Sequence, residues 1–122
     1  RSEVERVTYA GLSSHPAHAL FARQYGGTFG AMLTLDFADR ATAFRFLDAL
    51  RLVHRATNLF DNRTLAIHPA STIFGLFTPE QRAAMQVRET TVRLSIGLEG
   101  VDDLREDFAQ ALAAAVSVAA QA

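Results

Sequence analysis

Between Thr91 and Leu98 the chain alternates without a break. Val92, Leu94, Ile96 and Leu98 form one apolar face, and Thr91, Arg93, Ser95 and Gly97 form the other. A period of two marks a half-buried strand. Such a strand needs a sheet around it and other elements to close its apolar side. Helical periodicity supplies candidates for that cover. Phe44, Leu47, Leu50 and Val53 recur at helical spacing in "RATAFRFLDALRLVHRA", and Leu104, Phe108, Ala111, Leu112 and Ala115 form the stripe of "VDDLREDFAQALAAAVSVAA".

The remaining elements follow from local signals. "VERVTY" (Val4 to Tyr9) reads as a short strand. Pro16 suits the first turn of a helix continuing from Ala17 to Tyr25, which Gly26 and Gly27 stop. "GAMLTLDF" is a strand with Met32, Thr34 and Asp36 on one face and Ala31, Leu33, Leu35 and Phe37 on the other; Asp39 caps the helix after it. "LAIH" is short and extended, ended by Pro69. "TPEQRAAM" carries a capping box, with Thr78 as cap, Pro79 at the first helical position and Gln81 closing it. Strand, helix, strand, helix, short strand, helix, strand, helix predicts an α+β fold: a small sheet covered by helices in a two-layer sandwich.

At 122 residues the chain is expected to be one domain, 1–122. It opens on Arg1 and not on methionine, so a piece of a longer polypeptide is expected. A net charge of −1 implies no general affinity for nucleic acid. No apolar run approaches the ~18 residues of a membrane span, and no secretory signal is read. Cysteine is absent, which excludes disulfides and thiol catalysis and fits a cytoplasmic setting. All twelve basic residues are arginines, so no lysine amine can act within this chain.

Candidate chemistry centres on Arg93. A guanidinium can hold a carboxylate through two parallel hydrogen bonds, with Thr91, Ser95 and Gly97 leaving room beside it. On spacing alone a solvated charge or an ordinary ion pair is the commoner outcome for such an arginine. His15 and His18 are three apart but match no zinc motif, so no metal is expected. "RQYGGTFG" places its glycines after a helix and before a strand, the reverse of a phosphate cradle. "TNLFDNRTLAIHPAS" gathers Asn58, Asp61, Asn62, His68 and Ser71, either as a functional loop or as plain turn formers. Asp102, Asp103 and Glu106 suit the positive end of the last helix.

"VTYAGLSSHPAHALFARQ", "GAMLTLDF", "ATNLFDNRTLAIHPAST", "FTPEQRAAM" and "VRLSIGLEGVDDL" occur in that order along nearly the whole chain. Together they resemble the C-terminal domain of the cysteine and methionine metabolism enzymes that use pyridoxal phosphate. That group includes cystathionine γ-synthase, methionine γ-lyase and the O-acylhomoserine sulfhydrylases. The resemblance implies the small domain of a fold-type I enzyme acting on homoserine esters or sulfur amino acids. It implies that Arg93 receives the substrate α-carboxylate with Asn58 beside it. It also implies that a separate large domain binds the cofactor through a lysine, that the full-length protein is a tetramer, and that this piece alone holds no catalytic residue and is inactive. Two departures stand out: Phe60 stands where the family commonly has glycine, and after "HPAS" the better-known lyases have threonine then histidine, whereas here Thr72 is followed by Ile73 and Phe74. The alternatives are a free-standing α+β ligand-binding or regulatory module without catalysis, and a structural or dimerisation domain with a solvated Arg93.

Overall fold

Strand β5 (Thr91–Ser95) runs through the centre of the sheet, antiparallel to β2 (Met32–Asp36) on one side and to β4 (Leu65–Ile67) on the other. The structure, a computed structural model, describes residues 3–117. Among these residues the sheet has five strands in the order β1-β2-β5-β4-β3, with β1 (Arg6–Thr8) antiparallel to β2 and β3 (His54–Arg55) parallel to β4. Four helices accompany it: α1 (His18–Tyr25), α2 (Arg40–Ala49), α3 (Pro79–Ala84) and α4 (Val101–Ser117). At this level the unit is the small mixed α/β fold that the periodicities predict.

The pleat sorts the side chains. Val92 and Leu94 join Leu35, Ala66, Phe46, Leu104 and Ala111 in one buried core. That core lies between the sheet and the pair α2 and α4. Asp36 and Arg93 take the opposite face, because a one-residue step reverses the side chain.

The capping signals act as read. The Asp39 carboxylate accepts from the Thr42 N–H, and Thr78 and Gln81 close a reciprocal capping box. Gly26 ends α1 in the left-handed region. Helix α1 starts at His18, with Pro16 in the preceding turn.

Two predicted elements end early for tertiary reasons. The helix expected to run to Ala56 ends at Ala49. Beyond it the Asp107 carboxylate, on α4, accepts from the backbone N–H groups of Arg51, Leu52 and Val53 at 2.9, 3.0 and 3.1 Å. Gln110, one turn further, donates to the Ala49 carbonyl. These side chains satisfy the chain end that a longer helix would have satisfied itself, and the freed segment turns outward to become β3. The alternating strand ends at Ser95 and not at Leu98, which is 81% exposed. A side chain at Gly97 would meet backbone atoms of residues 62–64 at 2.4–2.6 Å. Gly97 therefore makes room for another stretch of chain, not for a ligand beside Arg93. The last predicted helix was expected to reach Ala120; its residues beyond 117 lie outside the described residues.

Asp107 is 5% exposed and Asp36 is 1% exposed. Burial raises the proton affinity of both, but the hydrogen bonds outweigh it: from Thr91, Arg6 and Arg88 at Asp36, and from Arg51, Val53, Gln110 and Leu52 at Asp107. Both carboxyls consequently titrate below the usual range. In the unfolded chain an aspartate titrates near about 3.9. Their stabilisation is therefore complete above that value and is lost as pH falls through the lower folded values. Replacing Asp107→Ala leaves three N–H groups without their acceptor and should destabilise the chain by at least about 2 kcal/mol in urea unfolding. Asp36→Asn should flatten the acid limb of the stability-versus-pH curve; an unchanged limb would contradict this account.

Candidate functional site

Arg93 sits at the middle of β5, opposite Thr34 on β2 and Ile67 on β4. Its neighbours Val92 and Leu94 are anchored in the core, so the guanidinium stem leaves the sheet on the far side. The side chain is half-buried, and burial lowers its proton affinity below the ordinary arginine value. A guanidinium begins above about 12, so it stays charged near neutrality.

Its partners are few. Nη2 donates to the Thr57 carbonyl at 3.0 Å, which leaves other N–H donors of the fork uncommitted. Arg6, Arg40, Arg55, Arg82, Arg88 and Arg105 each pair with a carboxylate. Among the described residues Arg93 pairs with none. Instead it lines two clefts. One, of about 510 Å³, is walled by Phe60, Phe29, Phe21 and Met32, with His15 at its edge. The other, of about 270 Å³, is bounded by Ile73, Phe74, Pro69 and Arg88. Phe60 and the pair Ile73 and Phe74 thus flank the same guanidinium from its two clefts.

Asn58 is exposed, directly after the residue whose carbonyl Arg93 holds. The structure therefore brings the main chain of this segment to Arg93. It gives the Asn58 side chain no hydrogen bond among the described residues.

Segment 57–60 is held at a second point. The Phe60 N–H donates to Ser95 Oγ at 2.8 Å, and Ser95 is 1% exposed. Ser95 lies two residues from Arg93 on the same strand face. Sequence reading treats Ser95 as a small neighbour; its role as an anchor comes from a residue 35 positions away. Further along, Glu99 accepts from the Thr64 N–H and hydroxyl, and Leu98 N–H donates to the Asn62 carbonyl. Segment 57–64 is thus fastened along β5 and its continuation.

The other polar candidates serve local structure. Asp61 accepts from the Arg63 N–H in a tight turn. His68 is buried, bonded through Nδ1 to Ser71 and through Nε2 to the Glu89 carbonyl. His15 Nδ1 accepts from the Ala17 N–H, while His18 reaches the Ala10 carbonyl and stacks on Phe29. Among the described residues no group of three or more potential metal ligands gathers, and no helix is long and apolar enough to cross a membrane.

The profile described as Cys/Met metabolism PLP-dependent enzyme matches residues 1–113. The chain belongs to that family, whose cofactor is pyridoxal phosphate. It is 47% identical over 112 residues to an O-succinylhomoserine sulfhydrylase of Pseudomonas aeruginosa, a match covering 91% of this chain and 28% of that protein. Cystathionine gamma synthase from Xanthomonas oryzae pv. oryzae, solved with cystathionine, superposes with a TM-score of 0.88 at 39% identity, over 94% of this chain and 30% of that one. An O-acetylhomoserine (thiol)-lyase of Campylobacter jejuni, solved with N'-pyridoxyl-lysine-5'-monophosphate, gives a TM-score of 0.86 at 35% identity, over 93% and 27%. The chain therefore spans a little over a quarter of the length of the relatives it matches.

The residues present do not make a covalent site for that cofactor, because the chain contains no lysine. Its glycine-rich turn, Gly26 to Gly30, follows α1 and precedes β2, away from any helix start that would cradle a phosphate.

The clamp on segment 57–60 can be checked without reference to function. Ser95→Ala removes the acceptor for the Phe60 amide. Hydrogen exchange at that amide should speed up by about tenfold or more, the loss of one hydrogen bond of local protection. Equal exchange in both proteins would show that the segment is held otherwise.

Proposed function

We propose that this chain is the small C-terminal domain of a cytoplasmic, pyridoxal-phosphate-dependent transsulfuration-type enzyme acting on homoserine esters or sulfur amino acids. In this reading it is built as a two-layer sandwich whose open sheet face receives the substrate. The observation that carries the reading is the Arg93 guanidinium. It is half-buried, held on a rigid central strand, open to a cleft and unmatched by any carboxylate among the described residues. A charge kept partly desolvated without a protein partner is matched by an anion from outside.

The chain's own residues divide the work. Arg93 takes the α-carboxylate through its fork, and the Thr57 carbonyl steadies the side chain. In this reading Asn58, the next residue, adds a hydrogen bond to the same carboxylate. Fixing that group fixes the orientation of the amino acid about its α-carbon, which favours reaction through geometry as much as through affinity. The cofactor and the proton-transferring amine come from the large domain of the same polypeptide, since this chain supplies no lysine. The kinship to sulfhydrylases and a γ-synthase supports group replacement at the γ-carbon, with γ-lyase chemistry as the near neighbour. A tetramer of the full-length protein completes the proposal.

The test is substitution in the full-length enzyme. Arg93→Lys keeps the charge and loses the fork, and kcat/KM should fall about 10- to 100-fold, mainly through KM. Asn58→Ala should cost about 3- to 10-fold, the scale of one neutral hydrogen bond. Unchanged kinetics in Arg93→Lys would remove the basis of the assignment.

A further inference from the structure

Phe60 stands in a backbone conformation that suits another residue. Its φ is +57°, in the left-handed region where a β-carbon crowds the neighbouring carbonyl. Glycine would adopt it freely. The turn is held by main-chain groups, the Phe60 N–H on Ser95 Oγ and the Thr57 carbonyl on Arg93, so the fold has no need of a ring there. Among the described residues the ring gains little from packing. It is 68% exposed, and none of the ring-to-ring contacts among the described residues involves it. What it does is wall the larger Arg93 cleft.

We propose, resting on the carboxylate reading above, that Phe60 is a specificity-determining residue: its ring limits the bulk of the amino-acid substrate that Arg93 can receive. The chemistry of the cleft supports this. The carboxylate engages the guanidinium, and the carbon skeleton behind it meets apolar walls from Phe60, Phe29 and Met32. Of these, Phe60 is carried on an arm fastened to β5 at two points, its own N–H on Ser95 Oγ and the Thr57 carbonyl on Arg93. A strained, clamped aromatic beside a binding charge is a fixed gauge for the size of what enters.

The experiment uses the full-length enzyme loaded with its cofactor, with O-acetyl-L-homoserine and O-succinyl-L-homoserine as probes. Phe60→Gly and Phe60→Ala both remove the ring, the first with the backbone strain relieved and the second with it kept. Each should raise the kcat/KM ratio of the longer ester over the shorter by about fivefold or more, and Phe60→Leu, which retains most of the bulk, should stay within about twofold of the parent. Phe60→Tyr, the variant that least disturbs folding, should lower the ratio. A ratio unmoved in both Gly and Ala variants overturns the proposal. So does a shift confined to Gly, which would implicate backbone strain, and so does a shift produced by Phe74→Ala in the smaller cleft but not by Phe60 variants. Arg93→Lys separates the two readings. If it weakens both esters alike while Phe60 variants are silent, the carboxylate reading stands and this one falls; if it changes nothing, both fall.

Discussion

The pleat of β5 is the constraint from which the rest of the molecule follows. Val92 and Leu94 are buried under α2 and α4, and that burial, worth about 1.5–3 kcal/mol for each side chain, sets the register of the strand. A strand so anchored has no freedom over its intervening residues. Arg93 and Ser95 must face the other way, one presenting a charge and the other a hydroxyl. From those two positions the segment 57–60 is held in place, and with it the edge of the cleft. The hydrophobic core thus positions a polar site that it never touches.

Charge is used in two different ways in this fold. Asp36, Asp107 and Glu99 are satisfied by backbone N–H groups, hydroxyls or arginines, and each ties together segments distant in sequence. They are structural fasteners, and the hydrogen bonds that hold them keep them ionised. Arg93 has been left out of that arrangement. Six other arginines find carboxylates, while the one on the central strand has, among the described residues, a single carbonyl to rest against. Membership of a pyridoxal-phosphate family gives a chemical context for such a group, and the missing lysine is consistent with a division of labour between two parts of one polypeptide.

Some of this was readable from residue order alone. The caps at Asp39 and Thr78, the glycine stop of α1, the two faces of β2 and the facing of Arg93 all rest on interactions within a few residues, and local chemistry is enough to decide them. Asn58 was placed by resemblance; the carbonyl that meets Arg93 belongs to Thr57, the residue before it. Ser95 carried no signal as an anchor, because a buried serine beside a charge looks like a spacer until its donor is seen.

What the sequence by itself determined is periodicity and punctuation: where the chain alternates, where it coils, and which face each side chain takes. Only the tertiary structure decided where those elements stop and what lies against them. The end of α2 depends on a carboxylate more than fifty residues downstream, and the end of β5 depends on a backbone that packs where Gly97 has no side chain. Short-range pattern reports hydrogen bonds that a segment can make with itself. It is blind to those that another segment supplies once folding has brought the two together.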